Sequence, residues 1–326
     1  MIRCPKCGYP NLDSAKECVK TNCGTKFGIS IPPAISSKPV QGTGIKKLHD
    51  TGSTLHAVRT LIDPGVFSLQ TYDKEIGQIF ALVRHSPFIQ ENDLYRQRAG
   101  ETSLLFLEGG DEVNAFATDS PLHGIHETPP FVVVEGGLCN ASKLAALALA
   151  ASVEHGDRKH LLECIKWFGS SIKGEGNFSV EDAERGLGDL RIETVLTEEV
   201  QRKARSYFAA MILHVTAHEL GHICLGHTLG RAVNLEVSRN QEREADSFAS
   251  SVLCTTPYSD YNCYGSAVFW MVWTWVEEGN FPFLREPTTH PVSRERLIRL
   301  ISDNASQFEA TGITVNNIDE FLPKKS

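Results

Sequence analysis

The order of apolar and polar residues along the chain predicts a mainly helical α+β domain with a small sheet. Residues 102–107 and 130–135 are short runs rich in Leu, Phe and Val, which is typical of strands. Between 161 and 189 the glycines at 174, 176, 186 and 188 interrupt the pattern, so no long helix is assigned there. Helical spacing of apolar residues is found in 69–84, 140–153, a segment from Thr197 to His222, 239–253, 265–278 and 293–304.

Changes in composition divide the chain into three parts. Residues 1–28 are rich in cysteine, and residues 29–47 are rich in Pro, Ser, Gly and Thr, which is the composition of a flexible linker. Residues 48–326 show no internal repeat and are predicted to form one domain.

Composition and charge restrict the classes of function. The chain has 326 residues, of which 41% are hydrophobic and 22% charged, as in an ordinary globular protein. Its net charge of −8 disfavours nucleic acid as a partner. The first residues lack the apolar region of a signal peptide, and the longest apolar stretches are too short or too interrupted to span a bilayer. We therefore expect a soluble protein without a membrane span, located in the cytoplasm.

The cysteines of the first segment have the spacing of a metal site. An odd total of 9 cysteines argues against a disulfide framework. Cys4 and Cys7 form one pair, and Cys18 and Cys23 form a second, wider pair. Four thiolates at such spacing can hold one structural zinc ion, and the segment resembles bacterial zinc ribbons. Protein docking is the favoured role for this ribbon, ahead of nucleic-acid binding.

The sequence His218-Glu219-Leu220-Gly221-His222 predicts a catalytic metal site on a helix. Histidines four residues apart lie on one helix face, so both can bind one ion. Glu219 would then point toward the water that the metal activates and act as general base. The alternative is a helix whose histidines have no metal.

A third ligand is predicted on a second helix. A third histidine at the metzincin spacing is excluded, because position 228 is Thr; His227 is expected to support a ligand or lie at the surface. Glu242 can complete a site of two histidines and one glutamate with an open position for water. Asp246, on the same helix face, can accept a hydrogen bond from a ligand imidazole. The alternative for this segment is a solvated run of charges.

These motifs resemble those of the gluzincin peptidases that include HtpX-like proteases and CAAX prenyl-protein proteases. Asp246 and Arg296 extend the resemblance beyond the metal ligands. The motifs follow in order as Asn114-Ala115-Phe116-Ala117, Val134-Glu135-Gly136-Gly137-Leu138, His218 to His222, Glu242 to Asp246, and Thr289-His290-Pro291 with Arg296.

The resemblance implies roles for residues outside the metal motif. The first two motifs would form a hairpin beside the cleft that pairs with an extended substrate, and His290 and Arg296 would stabilise the oxyanion or organise the site. The chain departs from the family by lacking transmembrane helices and by an insertion between about 143 and 205. That insertion could be a lid, a specificity element or an inhibitory segment.

Together these features predict a zinc endopeptidase acting on a protein or peptide, with one catalytic and one structural Zn²⁺. Two alternatives remain open. One is a regulatory protease that cuts one specific partner, because the spacing of the ligands is also similar to ImmA/IrrE peptidases. The other is a non-catalytic zinc-ribbon adaptor with a peptidase fold.

Overall fold

The computed structural model describes residues 2–3, 10–11, 72–107, 110–118, 129–156, 158–171, 177–229, 235–256, 259–279, 293–309 and 314–322. The chain divides into two compact units, Met1–Ile45 and Lys46–Ser326. In the first unit, strands β1 (Ile2–Arg3) and β2 (Pro10–Asn11) pair antiparallel. The predicted ribbon ligands Cys4, Cys7, Cys18 and Cys23, the linker 29–47 and His290 lie outside the described residues.

The second unit is mainly helical with a three-stranded sheet, which confirms the predicted α+β class. The strands are β3 (Ser103–Leu107), β4 (Ala115–Thr118) and β5 (Phe131–Glu135). The helices are α1 (Asp73–Arg84), α2 (Pro87–Gln90), α3 (Asp93–Glu101), α4 (Gly136–His155), α5 (Lys159–Ser171), α6 (Val180–Asp189), α7 (Glu198–Leu225), α8 (Leu235–Cys254), α9 (Ser259–Gly279), α10 (Ser293–Asp303) and α11 (Ala305–Glu309). Short 3-10 turns occur at Ile192–Val195, His227–Leu229 and Ile318–Glu320.

Strand β5 is the centre of the sheet. It pairs parallel with β3 and antiparallel with β4, where Ala115 lies opposite Val134. All five residues of β5 are buried. Burial on both faces explains why Phe131 to Val134 form an unbroken apolar run and not an alternating pattern.

Helix α7 forms the centre of the helical layer. It packs against α4, α8 and α9, and its second half is almost entirely buried. By length and composition α4 and α7 could each cross a membrane, but 94% and 83% of their apolar windows are buried inside the protein. Both helices therefore have their apolar surface covered by the rest of this unit.

The segment 161–189 differs from the prediction at Gly186 and Gly188, which were expected to interrupt a helix. It contains two helices, α5 and α6, and both Gly186 and Gly188 lie inside α6. A Cβ atom at Gly186 would lie 2.5 Å from Leu144 Cδ2, so this glycine allows α6 to approach α4 closely. Gly174 and Gly176 lie outside the described residues. The glycine at 186 is thus used for helix packing, which the sequence pattern could not distinguish from helix breaking.

The insertion is attached to the segment that leads into β4. The N–H of Phe178 donates to the carbonyl of Asp111 at 2.6 Å, and Asn177 forms a β-bridge with Glu112. Phe178 is fully buried in an aromatic cluster with Trp167 and Phe168. These contacts hold one part of the insertion against the start of the β4 strand.

Candidate metal centre

Helix α7 places His218 and His222 on one face, as the spacing predicted. Thr197 caps the start of the helix, where its hydroxyl accepts from the N–H of Val200, and Gly226 caps its end in the left-handed region with φ 81°. The Nε2 atoms of the two imidazoles are 3.1 Å apart. His218 is 6% exposed, so its ring is almost completely shielded from solvent.

A close approach between α7 and α8 brings the third residue opposite the histidines. A Cβ atom at Gly221 would lie 3.1 Å from the ring of Phe248, so the two helices are closely packed at this point. Phe248 is held by edge-to-face contacts of 5.3 Å with both Phe88 and Tyr95. This packing fixes the distance between the two helices that carry the proposed ligands.

Glu242 completes a group of three residues that could hold a metal ion. It is buried, with Oε2 3.2 Å from His218 Nε2 and Oε1 3.4 Å from His222 Nε2. In a tetrahedral zinc site with bonds of about 2.0–2.2 Å, ligand atoms lie roughly 3.3–3.6 Å from one another. The three residues therefore fit a tetrahedral ion with little rearrangement.

The charge of the site also fits a divalent cation. The carboxylates of Glu219, Glu242 and Asp246 all act on the guanidinium of Arg296 and raise its pKa against the effect of burial. Three carboxylates and one guanidinium leave two net negative charges among the described residues of the site. A dication would balance them, and imidazole with carboxylate is a ligand set that zinc accepts.

Asp246 orients the first histidine. Its Oδ1 accepts from His218 Nδ1 at 2.9 Å, which leaves the Nε2 lone pair of His218 directed at the ligand group. Arg296 donates to both oxygens of Asp246, at 2.6 and 2.9 Å. The structure thus brings Asp246 beside the imidazole of His218, and the contact between Asp246 and Arg296 is one that the sequence did not predict.

Arg296 is in turn in contact with Trp270, which is hydrogen-bonded to His214. Its guanidinium is 3.8 Å from the centroid of the Trp270 ring, and Trp270 Nε1 donates to His214 Nε2 at 3.2 Å. His214 lies one helical turn before His218 on α7 and is buried. In the sequence, the four-residue repeat of histidine at 214, 218 and 222 is a signal for His214, but it does not point to Trp270 or Arg296.

His222 has a different support. Its Nδ1 is 3.0 Å from Nδ1 of His227, and the Nε2 of His227 is 3.0 Å from Oε2 of Glu244. The left-handed residue Gly226 and the 3-10 turn that follows bring His227 back toward the helix. His227 is therefore a neighbour of a proposed ligand, as one of the two readings of its position expected.

The pKa values of His218 and His222 are shifted in opposite directions. Burial and Arg296 lower the pKa of His218, but its bonds to Asp246 and Glu242 outweigh them and raise it to about 9. Burial and the neighbouring His218 lower the pKa of His222 to about 3. These opposite shifts favour the charged form of His218 and the neutral form of His222, so a cation bound here would have to displace the Nε2 proton of His218.

Glu219 lies at the border of the site. Its side chain is 13% exposed, and its Oε1 is 4.0 Å from His218 Nε2. It follows His218 directly in the helix and so emerges beside the ligand group and not within it. A carboxylate in this position could accept a proton from a group held beside the three residues.

The predicted substrate segment is strand β4 and the residue before it. The carbonyl of Asn114 accepts from the N–H of Glu135 at 3.1 Å, so Asn114 and Phe116 direct their backbone groups toward β5. Ala115 and Ala117 consequently direct their N–H and C=O groups to the other edge, and no other described strand pairs there. Strand β4 also packs against α7.

Comparison with known proteins identifies a family for this arrangement. A family model described as Peptidase U49 matches residues 149–314, a range that includes His218, His222, Glu242 and Arg296. Neither a search of curated proteins nor a search of solved structures produced a match. Because the family model covers just over half of the sequence and all of the described metal centre, the chain belongs to the Peptidase U49 family.

Proposed function

We propose that this peptidase is a zinc-dependent endopeptidase whose metal is held by His218, His222 and Glu242. Membership of a peptidase family supports proteolysis. The observation that carries the metal assignment is the convergence of two Nε2 atoms and a buried carboxylate within 4.8 Å of one another. Two histidines and one glutamate leave a fourth position open, which is the arrangement of catalytic zinc sites.

The chain's own residues supply the proton transfers. When bound, zinc acts as a Lewis acid that polarises the peptide carbonyl and lowers the pKa of water toward neutrality. Glu219 accepts a proton from the attacking water and returns it to the leaving amine, so one carboxylate serves both steps. Asp246 keeps the Nδ1 proton on His218, which holds the Nε2 lone pair toward the metal.

Arg296 is proposed to organise the site through Asp246. Its Nε and Nη2 atoms both donate to that carboxylate, and its face is covered by Trp270. Its Nη1 also lies 3.5 Å from Glu242 Oε2, and its Nη2 lies 3.2 Å from His218 Nδ1, so Arg296 supports two of the proposed ligands. His290 remains our candidate for a donor to the oxyanion, where a preorganised positive charge would stabilise the transition state.

The substrate is proposed to be an extended segment of a protein or peptide. Ala115 and Ala117 offer backbone donors and acceptors at the outer edge of the sheet, and a peptide could add there as a further strand. Recognition would then depend on backbone atoms, with preference supplied by pockets for alternate side chains. Phe116 is 40% exposed, so it is available to contact a substrate side chain.

The ribbon supports a second, structural zinc in this proposal. A unit of fewer than 30 residues has too little core to fold without such a staple. Cys4, Cys7, Cys18 and Cys23 would bind that ion, and the ribbon would dock a protein partner. A regulatory protease that cuts one partner is compatible with this arrangement.

The test of the proposed function separates chemistry from metal binding. Glu219→Gln removes the base but none of the three ligands, so it should abolish turnover while zinc content stays at the wild-type level. Glu236→Gln, on an exposed residue of α8, is the matched control and should cleave normally. Equal activity of Glu219→Gln and wild type would contradict the mechanism. Absence of cleavage by the zinc-loaded wild type across a broad protein and peptide panel would favour the non-catalytic adaptor.

A further inference from the structure

The two proposed histidine ligands are supported in different ways, and this difference has a functional meaning. We propose that His227 and Glu244 form a chain of hydrogen bonds, the relay, that positions the imidazole of His222. By fixing the orientation of His222, the relay sets the affinity of the site for its metal ion. The inference rests on the proposed function, because it concerns the orientation of a metal ligand. Both residues are positioning residues and neither contacts the metal.

The distances define one consistent set of protons along this relay. Binding of a metal through Nε2 leaves the proton of His222 on Nδ1, which can donate to Nδ1 of His227 at 3.0 Å. His227 then carries its own proton on Nε2, which donates to Glu244 Oε2 at 3.0 Å. Each nitrogen is thus either a donor or an acceptor without conflict. The reverse assignment would place the proton of His222 on Nε2 and block the metal.

The helix geometry explains why Glu244 serves this role and Glu242 does not. Two residues apart on a helix are about 200° around its axis, so both cannot face the same ion. The side chain of Glu242 is 6% exposed and faces the histidine pair, while that of Glu244 is 57% exposed and meets His227. Helix α8 therefore supplies the proposed ligand Glu242 from one face and Glu244, the last residue of the relay, from another.

The supports of the two ligands differ in their exposure to water. His218 is held by Asp246 and Arg296, whose side chains are 17% and 9% exposed. His222 is held by His227, 8% exposed, which connects it to a carboxylate at the surface. Solvent can therefore compete for the last bond of the relay. We expect His222 to be the first ligand to lose its orientation when the site is perturbed.

A purely structural contact is the competing explanation. A surface carboxylate that meets a histidine contributes little to stability on its own. If His227 and Glu244 were only such a pair, removing them would shift the melting temperature slightly with and without metal. A positioning relay instead affects the metal-bound state, since partners of a ligand typically change metal affinity by about 10–100-fold.

The experiment measures cobalt(II) binding to the full chain by competition with a chelator and by its visible absorption. His218→Ala defines the signal of the catalytic site, because the ribbon signal remains in that variant. His227→Ala should weaken cobalt binding at this site by about 10–100-fold. Glu244→Ala should weaken it in the same direction, and Glu244→Gln, which keeps an acceptor oxygen, should recover part of the loss. Glu236→Ala, an exposed residue on the same helix, is the matched control.

Non-additivity gives the sharper result. If the two residues act in series, adding Glu244→Ala to His227→Ala should cause no further loss, whereas independent effects would multiply. The metal-free melting temperatures should be alike, and only the increase on cobalt addition should shrink. Wild-type affinity in His227→Ala, or multiplied losses in the double variant, would overturn the relay. A chain whose cobalt signal is unaffected by His218→Ala would overturn the proposed metal site itself, and the relay with it.

Discussion

The guanidinium of Arg296 lies 3.8 Å from the centroid of the Trp270 ring, and its Nε and Nη2 atoms both donate to Asp246. A planar cation can stack on an aromatic ring and bind a carboxylate through two N–H groups at once, which a lysine ammonium cannot do. Arg296 is therefore held in one orientation, and it transmits that orientation through Asp246 to His218.

Arg296→Lys should consequently weaken the metal site although the charge is kept. We expect about a 10–100-fold loss of zinc affinity, because Asp246 would lose its paired donors and turn more freely. Competition with a chelator measures this directly. Arg299→Lys, on the same helix with an exposed bond to Asp303, is the control and should bind zinc normally. Equal affinities in the two variants would show that Arg296 has no part in holding the ligand.

The contact between Gly221 and Phe248 should be sensitive to a single methyl group. A Cβ atom at 221 would lie 3.1–3.3 Å from atoms of Phe248, whose ring is fixed by Phe88 and Tyr95. Gly221→Ala should lower the free energy of unfolding by about 1–3 kcal/mol through overpacking, less the gain of about 1 kcal/mol in helix propensity. Urea unfolding and zinc content measure the two effects.

The control for that prediction is a glycine with open space around it. A Cβ atom at Gly188 meets nothing within 4 Å, so Gly188→Ala in α6 should stabilise the protein by up to about 1 kcal/mol. Adding Phe248→Leu to Gly221→Ala should restore part of the loss, since the smaller side chain can move. If Gly221→Ala is as stabilising as Gly188→Ala, the two helices are not in the tight contact described.

A buried lysine should make stability depend on alkaline pH. Lys143 is 1% exposed, and burial lowers its pKa to about 8 although Glu75 opposes the shift. An unfolded lysine has a pKa of about 10.4, so between pH 8 and 10.4 the unfolded chain holds more protons. Below pH 8 the buried charge therefore lowers the free energy of unfolding by its full cost, and the free energy of unfolding rises as the pH increases from about 8 to about 10.4. This rise in the free energy of unfolding is on the order of 3 kcal/mol.

Lys143→Met removes this titration and should remove the associated rise in stability. Urea unfolding at pH 7.5 and 9.5 gives the change in the free energy of unfolding with pH for each protein. Subtracting the change in the variant from the change in wild type gives the contribution of Lys143. Lys166→Met, at an exposed position of α5, should leave the wild-type pH dependence intact. Parallel pH profiles for wild type and Lys143→Met would contradict the expected shift.

Substrate binding along the outer edge of β4 predicts an alternating response to proline. Only every second residue of an added strand directs its N–H to Ala115 or Ala117. Proline at those positions of a cleaved peptide should cost about 1 kcal/mol, or roughly five-fold in KM, because one hydrogen bond is lost. Proline at the intervening positions is the internal control. Uniform tolerance along the peptide would show that this edge is not used.

Local patterns predicted much of the site, and long-range packing decided the rest. His218 and His222 could be placed because a four-residue spacing has only one meaning on a helix. Glu242 and Glu244 could both have faced the metal from sequence, and only the position of His227 shows why Glu244 turns away. Residues brought together from 214, 270 and 296 have no local signal that joins them.

Helix boundaries show the same limit. Helix α8 begins at Leu235 and α9 at Ser259, four and six residues before the segments 239–253 and 265–278 that the apolar periodicity indicated. Helix α6 contains glycines that the sequence treated as breaks, since their use against α4 depends on a distant residue, Leu144. The α6 difference arises from a tertiary contact and not from local preference.

The central claim is that a zinc ion occupies the group formed by His218, His222 and Glu242, and an anomalous scattering map tests it most directly. Data from crystals of the zinc-loaded protein, collected on both sides of the zinc absorption edge, should show a peak about 2.0–2.2 Å from both Nε2 atoms and from a Glu242 oxygen. A second peak is expected among Cys4, Cys7, Cys18 and Cys23. Clear density for all three side chains with no anomalous peak between them would contradict the account.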